Sequence, residues 1–109
     1  MKKINFLLCI HNHQPVGNFE HIFKKAFARA YQPFLKLLEQ HPLIKATLHF
    51  SGSLLEWLEA EEPAFLETLR GLVHEGRIEL MSGGFYEPIF SILREPDALG
   101  QIALMNQYL

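Results

Sequence analysis

Three short apolar runs alternate with longer stretches whose apolar residues recur every three or four positions. The runs cover residues 3–10, 44–50 and 77–81. Their nearly continuous hydrophobicity is the pattern of strands in a parallel sheet covered on both faces. After the first run, Phe23, Ala26, Phe27 and Ala30 fall at helical spacing. Pro33 predicts a break near residues 31–32, because a proline in mid-helix removes a hydrogen bond. It then opens a second helical piece with Phe34, Leu37 and Leu38 inward, which His41-Pro42 ends.

Beyond the second run, Ser51-Gly52 makes a turn. Ser53 is placed to cap the next helix, with Glu56 completing a capping box and Leu54, Leu55 and Leu58 facing the core. Pro63 restarts the helix, whose apolar stripe is Phe65, Leu66, Leu69, Leu72 and Val73; Gly76 is its left-handed terminator. A last helix begins near Pro96-Asp97 and carries Leu99, Ile102, Met105 and Leu109 on one side. It has no stop signal, so the expectation is that the chain ends inside a helix. The order is strand, helix, strand, helix, strand, helix, with crossovers long enough for parallel strands. The fold expected is α/β. Three strands make a narrow sheet with two open edges, which reads as the opening portion of a larger βα repeat.

Composition narrows the function. At 109 residues the chain is one domain at most, long enough to bury about 65% of its unfolded surface. It is 49% apolar and 20% charged, an ordinary globular balance. A net charge of −2 with no basic cluster argues against a nucleic-acid partner. The single cysteine, Cys9, lies in an apolar run and reads as a small hydrophobe. Met1-Lys2-Lys3 and the residues after it imitate a secretion signal, but the stretch is short, contains Asn5 and runs into polar residues. No stretch approaches membrane-spanning length. A cytoplasmic protein without a membrane partner is the expectation.

The candidate chemistry sits where the runs stop. In a βα repeat, loops that follow strands emerge at one face. That places His11, His13 and Gln14, then His49 and Ser51, then Tyr86 and Glu87 around one rim. In the third run Ile78 and Leu80 face one way and Glu79 the other. Inside a closed barrel that carboxylate would need a partner; on an edge strand it would simply face water. His49 taken alone reads more readily as a hydrogen-bonded structural residue. Gly83-Gly84 reads as a tight turn, and Trp57 as packing. Glu59, Glu61 and Glu62 read as a solvated helix face, and His21, His41 and His74 lie away from the rim. Alternate residues leaving a strand point the same way, so the imidazoles of His11 and His13 can converge on one object. It is a metal ion or a ligand rich in hydroxyls, and the spacing does not choose.

His11-Asn12-His13-Gln14-Pro15 and Gly84-Phe85-Tyr86-Glu87-Pro88 resemble the first two signature regions of family 57 glycoside hydrolases, the α-amylase and 4-α-glucanotransferase group. His49-Phe50-Ser51-Gly52 and Leu54-Leu55-Glu56-Trp57 are similar to the glucanotransferase branch. The resemblance implies a distorted (β/α)7 barrel of TIM type, of which residues 1–109 supply the first three βα units and no second domain. It implies a retaining enzyme acting on α-glucans or maltooligosaccharides, with a Glu nucleophile and an Asp acid/base, both beyond residue 109. By the same resemblance His11 and His13 line the subsite of the sugar under attack, with Gln14 beside them. Glu79 is the buried carboxylate supporting that subsite, and Glu87 contacts substrate or holds its loop. No cofactor and no metal are implied, and the remaining partner is the rest of the barrel. Two rivals stand beside this reading: a metal-dependent barrel hydrolase using His11 and His13, and a small non-catalytic α/β sugar-binding module.

Overall fold

The computed structural model describes all 109 residues. Its strands are β1 (Cys9–Asn12), β2 (Ala46–Phe50) and β3 (Ile78–Leu80). The helices are α1 (Glu20–Ala26), α2 (Gln32–Gln40), α3 (Gly52–Glu61), α4 (Pro63–His74) and α5 (Glu95–Tyr108). The strands form one parallel sheet in the order β1-β2-β3. This is the expected α/β architecture.

Side chains alternate across a strand, and here the alternation divides the sheet cleanly. Ala46, Leu48, Phe50 and Ile78 are buried and join a core of 17 residues with α1 to α5. Cys9, His11, Glu79 and Met81 are exposed on the opposite face, with Thr47 and His49 partly covered beside them. The sheet is therefore covered on one face, not on both. The strands also begin later than their apolar runs suggest. Ile4, Phe6 and Leu7 precede β1 and are exposed, since no neighbouring strand pairs with them.

Pro33 has the effect its chemistry demands, with a refinement. A π-helical turn, Phe27–Tyr31, joins α1 to α2, and the Gln32 N–H reaches back to the Phe27 carbonyl. The wider turn absorbs the hydrogen bond that Pro33 cannot make. It also shifts the phase of the next helix. Leu35 and Leu38 are the buried residues of α2, whereas Leu37, expected inward, is exposed. At the far end, Arg77 donates to the carbonyls of Leu38 (2.5 Å), His41 (2.9 Å) and Ile44 (3.2 Å), tying the start of β3 to the end of α2 and the loop after it.

Pro63 opens α4, and Gly76 follows it at φ +68, the left-handed conformation expected there. In α5 only Met105 is buried; Leu99, Ile102 and Leu109, expected on the inner side, are exposed. Tyr108 ties this helix to α3 by donating to the Glu59 carboxylate. Burial, and then that hydrogen bond, raises the phenol above its usual range. No helix is long and apolar enough to cross a membrane.

One substitution type should change sign with position. A Cβ on Gly52 would lie 2.3 Å from the Phe85 ring, which is 1% exposed and has nowhere to go. Gly52→Ala is expected to destabilise by about 3 kcal/mol, the upper end of overpacking losses. Gly71, inside α4, has nothing within 4 Å of a Cβ. Gly71→Ala is expected to stabilise by about 0.5–1 kcal/mol. Denaturant midpoints at unchanged slope check both, and equal shifts would contradict the packing described.

Candidate functional site

The site is set by register. β1 pairs with β2 so that His11 stands opposite His49, both on the uncovered face and both at a strand's carboxyl end. Their rings stack with centroids 4.8 Å apart and planes 16° from parallel, and Nδ1 meets Nδ1 at 2.8 Å. The loop after β3 brings Glu87 onto the pair, with Oε1 3.4 Å from His49 Nδ1 and 3.7 Å from His11 Nε2. These side chains and Cys9, Met81, Phe90 line a cleft of about 430 Å³. His13 extends the row, its ring 6.1 Å from that of His11, and its Nδ1 is buried without a hydrogen-bond partner.

Two nitrogens at 2.8 Å need a proton between them, and Glu87 decides which ring supplies it. If His11 Nδ1 donated, bare lone pairs on His11 Nε2 and His49 Nδ1 would both face the carboxylate. The opposite tautomers put N–H groups at both places. His49 therefore carries its proton on Nδ1, His11 on Nε2, and His49 Nε2 is left as an acceptor. Its environment is restricted by Gly83, where a Cβ would lie 3.2 Å away. Burial is the main influence on His49 and lowers its pKa from the ordinary imidazole value. Glu87 opposes that shift, while His11 and His13 reinforce it.

The second loop is shaped by missing side chains. A Cβ on Gly84 would sit 2.4 Å from Pro88 Cδ. Neither Gly83 nor Gly84 has positive φ, so what matters is room for Pro88 and His49, not the tight-turn conformation expected. Glu87 itself is the one non-glycine residue at positive φ, +55, a conformation held only when its surroundings fix it. The Gly52 N–H donates to the Phe85 carbonyl at 2.7 Å and the Tyr86 N–H to Gln101 Oε1 at 2.8 Å, which anchor the two residues just before the carboxylate to α3 and α5.

Gln14 is engaged within the chain. Its Nε2 donates to the Tyr31 hydroxyl at 2.9 Å, and its Oε1 accepts from Asn18 at 2.8 Å. Its N–H donates to Ser51 Oγ at 3.3 Å, and its carbonyl accepts from Ser53 Oγ. Ser53 was expected to cap α3. Instead α3 starts at Gly52 after Ser51, with no side-chain cap, because both serine hydroxyls are turned to the first loop.

Glu79 shares the uncovered face with the imidazoles but lies one row down, in register with Thr47 and Cys9. Two residues along a strand amount to about 6.6 Å. It is exposed, not buried as expected, because nothing covers this face. The residue underweighted by sequence reasoning is His49, whose side chain is 11% exposed and touches both His11 and Glu87. Its signal was its place, the next-to-last position of a strand, on the face opposite Leu48 and Phe50.

The pattern of "Glycosyl hydrolase family 57" matches residues 7–109. The 4-alpha-glucanotransferase of Thermococcus litoralis is 45% identical over 108 residues, which is 99% of this chain and 16% of that protein. An alpha-amylase of Pyrococcus horikoshii is 48% identical over 104 residues, again 16% of its length. The crystal structure of the Thermococcus litoralis 4-alpha-glucanotransferase superposes with a TM-score of 0.97 over 99% of this chain and 17% of its own. The chain thus spans about 16% of the length of the relatives it matches. With the pattern running through both histidine strands and the Glu87 loop, and the same backbone in a relative of known structure, this chain belongs to glycosyl hydrolase family 57.

Proposed function

We propose that the cleft holds one glucose residue of an α-glucan or maltooligosaccharide, within a retaining glycosidase or transglycosylase of carbohydrate metabolism. The observation that carries this reading is the convergence of His11, His49 and Glu87 from three separate strand ends on one cleft. Imidazoles that each present a donor and an acceptor match the alternating hydroxyls of a sugar ring. Met81 and Phe90 offer apolar surface for its faces. His11 binds the hydroxyls of the reacting sugar from within the cleft, His13 reaches the same sugar from the next place in the row of rings, beside the cleft, and Glu87 orients the imidazoles. Glu79 supports the subsite from the row beneath. Gln14 shapes the loop that carries His13 through its hydrogen bonds to Tyr31, Asn18, Ser51 and Ser53.

In this reading residues 1–109 form the first three βα units of a cytoplasmic (β/α)7 barrel and contain no second domain. The nucleophile and the acid/base belong to strands beyond residue 109, so no residue here forms or breaks the glycosidic bond. The names of the relatives support both hydrolysis and glucanosyl transfer, which share one covalent intermediate. No cofactor, nucleic acid or membrane enters this reading.

In the full-length protein, His13→Ala is expected to lower kcat/KM on maltooligosaccharides by about 2–4 kcal/mol of transition-state stabilisation, the loss of one preorganised hydrogen-bond partner. An unchanged kcat/KM would remove His13 from the reacting subsite. Residues 1–109 expressed alone should show no turnover of glucan above buffer; measurable product would contradict the assignment of the catalytic carboxylates elsewhere.

The site also has a titration signature. His49 should titrate below the ordinary imidazole range when followed by NMR of its ring nuclei. Glu87→Gln removes the one influence that raises this pKa, so it should fall further. Because the folded state binds the proton less readily than the unfolded chain, stability should fall as pH drops from 6.5 through the lowered value. A rise in the His49 pKa in Glu87→Gln would contradict the geometry.

A further inference from the structure

Glu87 Oε1 is buried and makes no hydrogen bond, although two imidazoles stand beside it. The imidazoles themselves meet nitrogen to nitrogen at 2.8 Å, so both Nδ1 atoms lie within reach of one object placed between the rings. One donor atom from each of His11, His49 and Glu87 lies within 4.8 Å of the others. In a tetrahedral zinc site with bonds of about 2.0–2.1 Å, neighbouring donor atoms stand about 3.3 Å apart. His49 Nδ1 stands 2.8 Å from His11 Nδ1 and 3.4 Å from Glu87 Oε1, one on each side of that distance. His11 has the freedom to close the difference, since its side chain is 57% exposed.

The geometry points to a zinc-binding site formed by His11, His49 and Glu87. Two imidazoles and one carboxylate suit a divalent ion of borderline softness, whereas magnesium and calcium favour oxygen ligands throughout. The ion takes the place of the proton between the two rings, which moves from Nδ1 to Nε2 of His49 so that the ring stays neutral, while His11 already carries its proton on Nε2 and offers Nδ1. It also supplies the partner that Glu87 Oε1 lacks. Water from the cleft completes the coordination. The site differs from a His11–His13 pair, because His13 does not line the cleft and its Nδ1 is buried away from this cluster. It needs only these three side chains, and its existence does not rest on the sugar reading, although a sugar bound there would compete for His11 and His49.

The test is calorimetric titration of zinc into the full-length protein carrying Cys9→Ser, because the exposed Cys9 thiol lines the same cleft and would bind zinc unaided. One saturable equivalent is expected that is missing in His11→Ala, weakened at least tenfold in Glu87→Gln and kept in His13→Ala. Cobalt(II) in place of zinc should give visible absorption that is lost in the same variants. Glu87→Gln is isosteric and His11 is exposed, and far-UV circular dichroism verifies that each variant is folded. Equal affinity in the parent and Glu87→Gln would overturn the site. So would loss of the equivalent in His13→Ala with Glu87→Gln unaffected, or no equivalent that depends on His11.

Discussion

The candidate site depends on the pairing of β1 with β2, which sets His11 opposite His49. Side chains alternate along a strand, so a slip of one residue would turn one imidazole to the helices and leave the other alone. Backbone pairing over four residues resists such a slip only weakly. The connections beyond the strand ends reinforce it. The Ser51 N–H donates to the Asn12 carbonyl at 2.9 Å, and Asn12 Nδ2 donates to the His49 carbonyl at 3.1 Å. The Gln14 contacts to Ser51, Ser53 and Tyr31 then fasten the first loop to β2, α3 and the π-helical turn. Each contact spans a break in regular structure, where backbone groups lack partners of their own.

The same arrangement explains why polar groups lie on a parallel sheet. One face packs an apolar core, with Leu48, Leu54, Leu58 and Met105 almost fully enclosed. The other carries Cys9, Thr47 and Glu79 in one row and His11 and His49 in the next. A parallel strand covered on both faces would be apolar throughout. These strands are apolar on one face only, and at the strand ends the other face is given to chemistry. Phe85, buried against Gly52, fixes the height of the third loop, so core packing and the position of Glu87 are coupled.

Much of this was legible in the sequence, for physical reasons that also explain what was not. Proline and glycine act locally, so Pro63 and Gly76 located the restart and the terminus of α4, whereas at Pro33 the expected break is a π-helical stretch in a helix that runs on without interruption. The apolar runs located the strands but not their starts. Hydrophobicity at residues 3–8 says nothing about whether a neighbour is present to pair with them. The phase of α2 escaped because a π-helical turn adds a residue that periodicity cannot count. Ser53 had the sequence of a cap and was used elsewhere, since Gln14 offered its hydroxyl a tertiary partner. His49 needed the register, and register is a property of two strands and not of either alone.

What remains is how two imidazoles and a carboxylate share charge. Burial lowers the pKa of His49 and Glu87 raises it, with burial the larger influence, so the ring is held neutral beside an anion. A neutral ring whose N–H is given to His11, on the side where Glu87 lies, keeps its other nitrogen as an acceptor. Protonation would add a second N–H and remove that acceptor. The carboxylate thus fixes which atom of His49 donates without making the ring a cation. A hydroxyl ligand needs that division of donor and acceptor. A metal ion uses the same two Nδ1 atoms once the His49 proton has moved to Nε2, with Glu87 balancing its charge. The two uses compete for His11 and His49 but draw on one physical arrangement, two neutral imidazoles stacked beside a buried carboxylate oxygen that has no hydrogen-bond partner of its own.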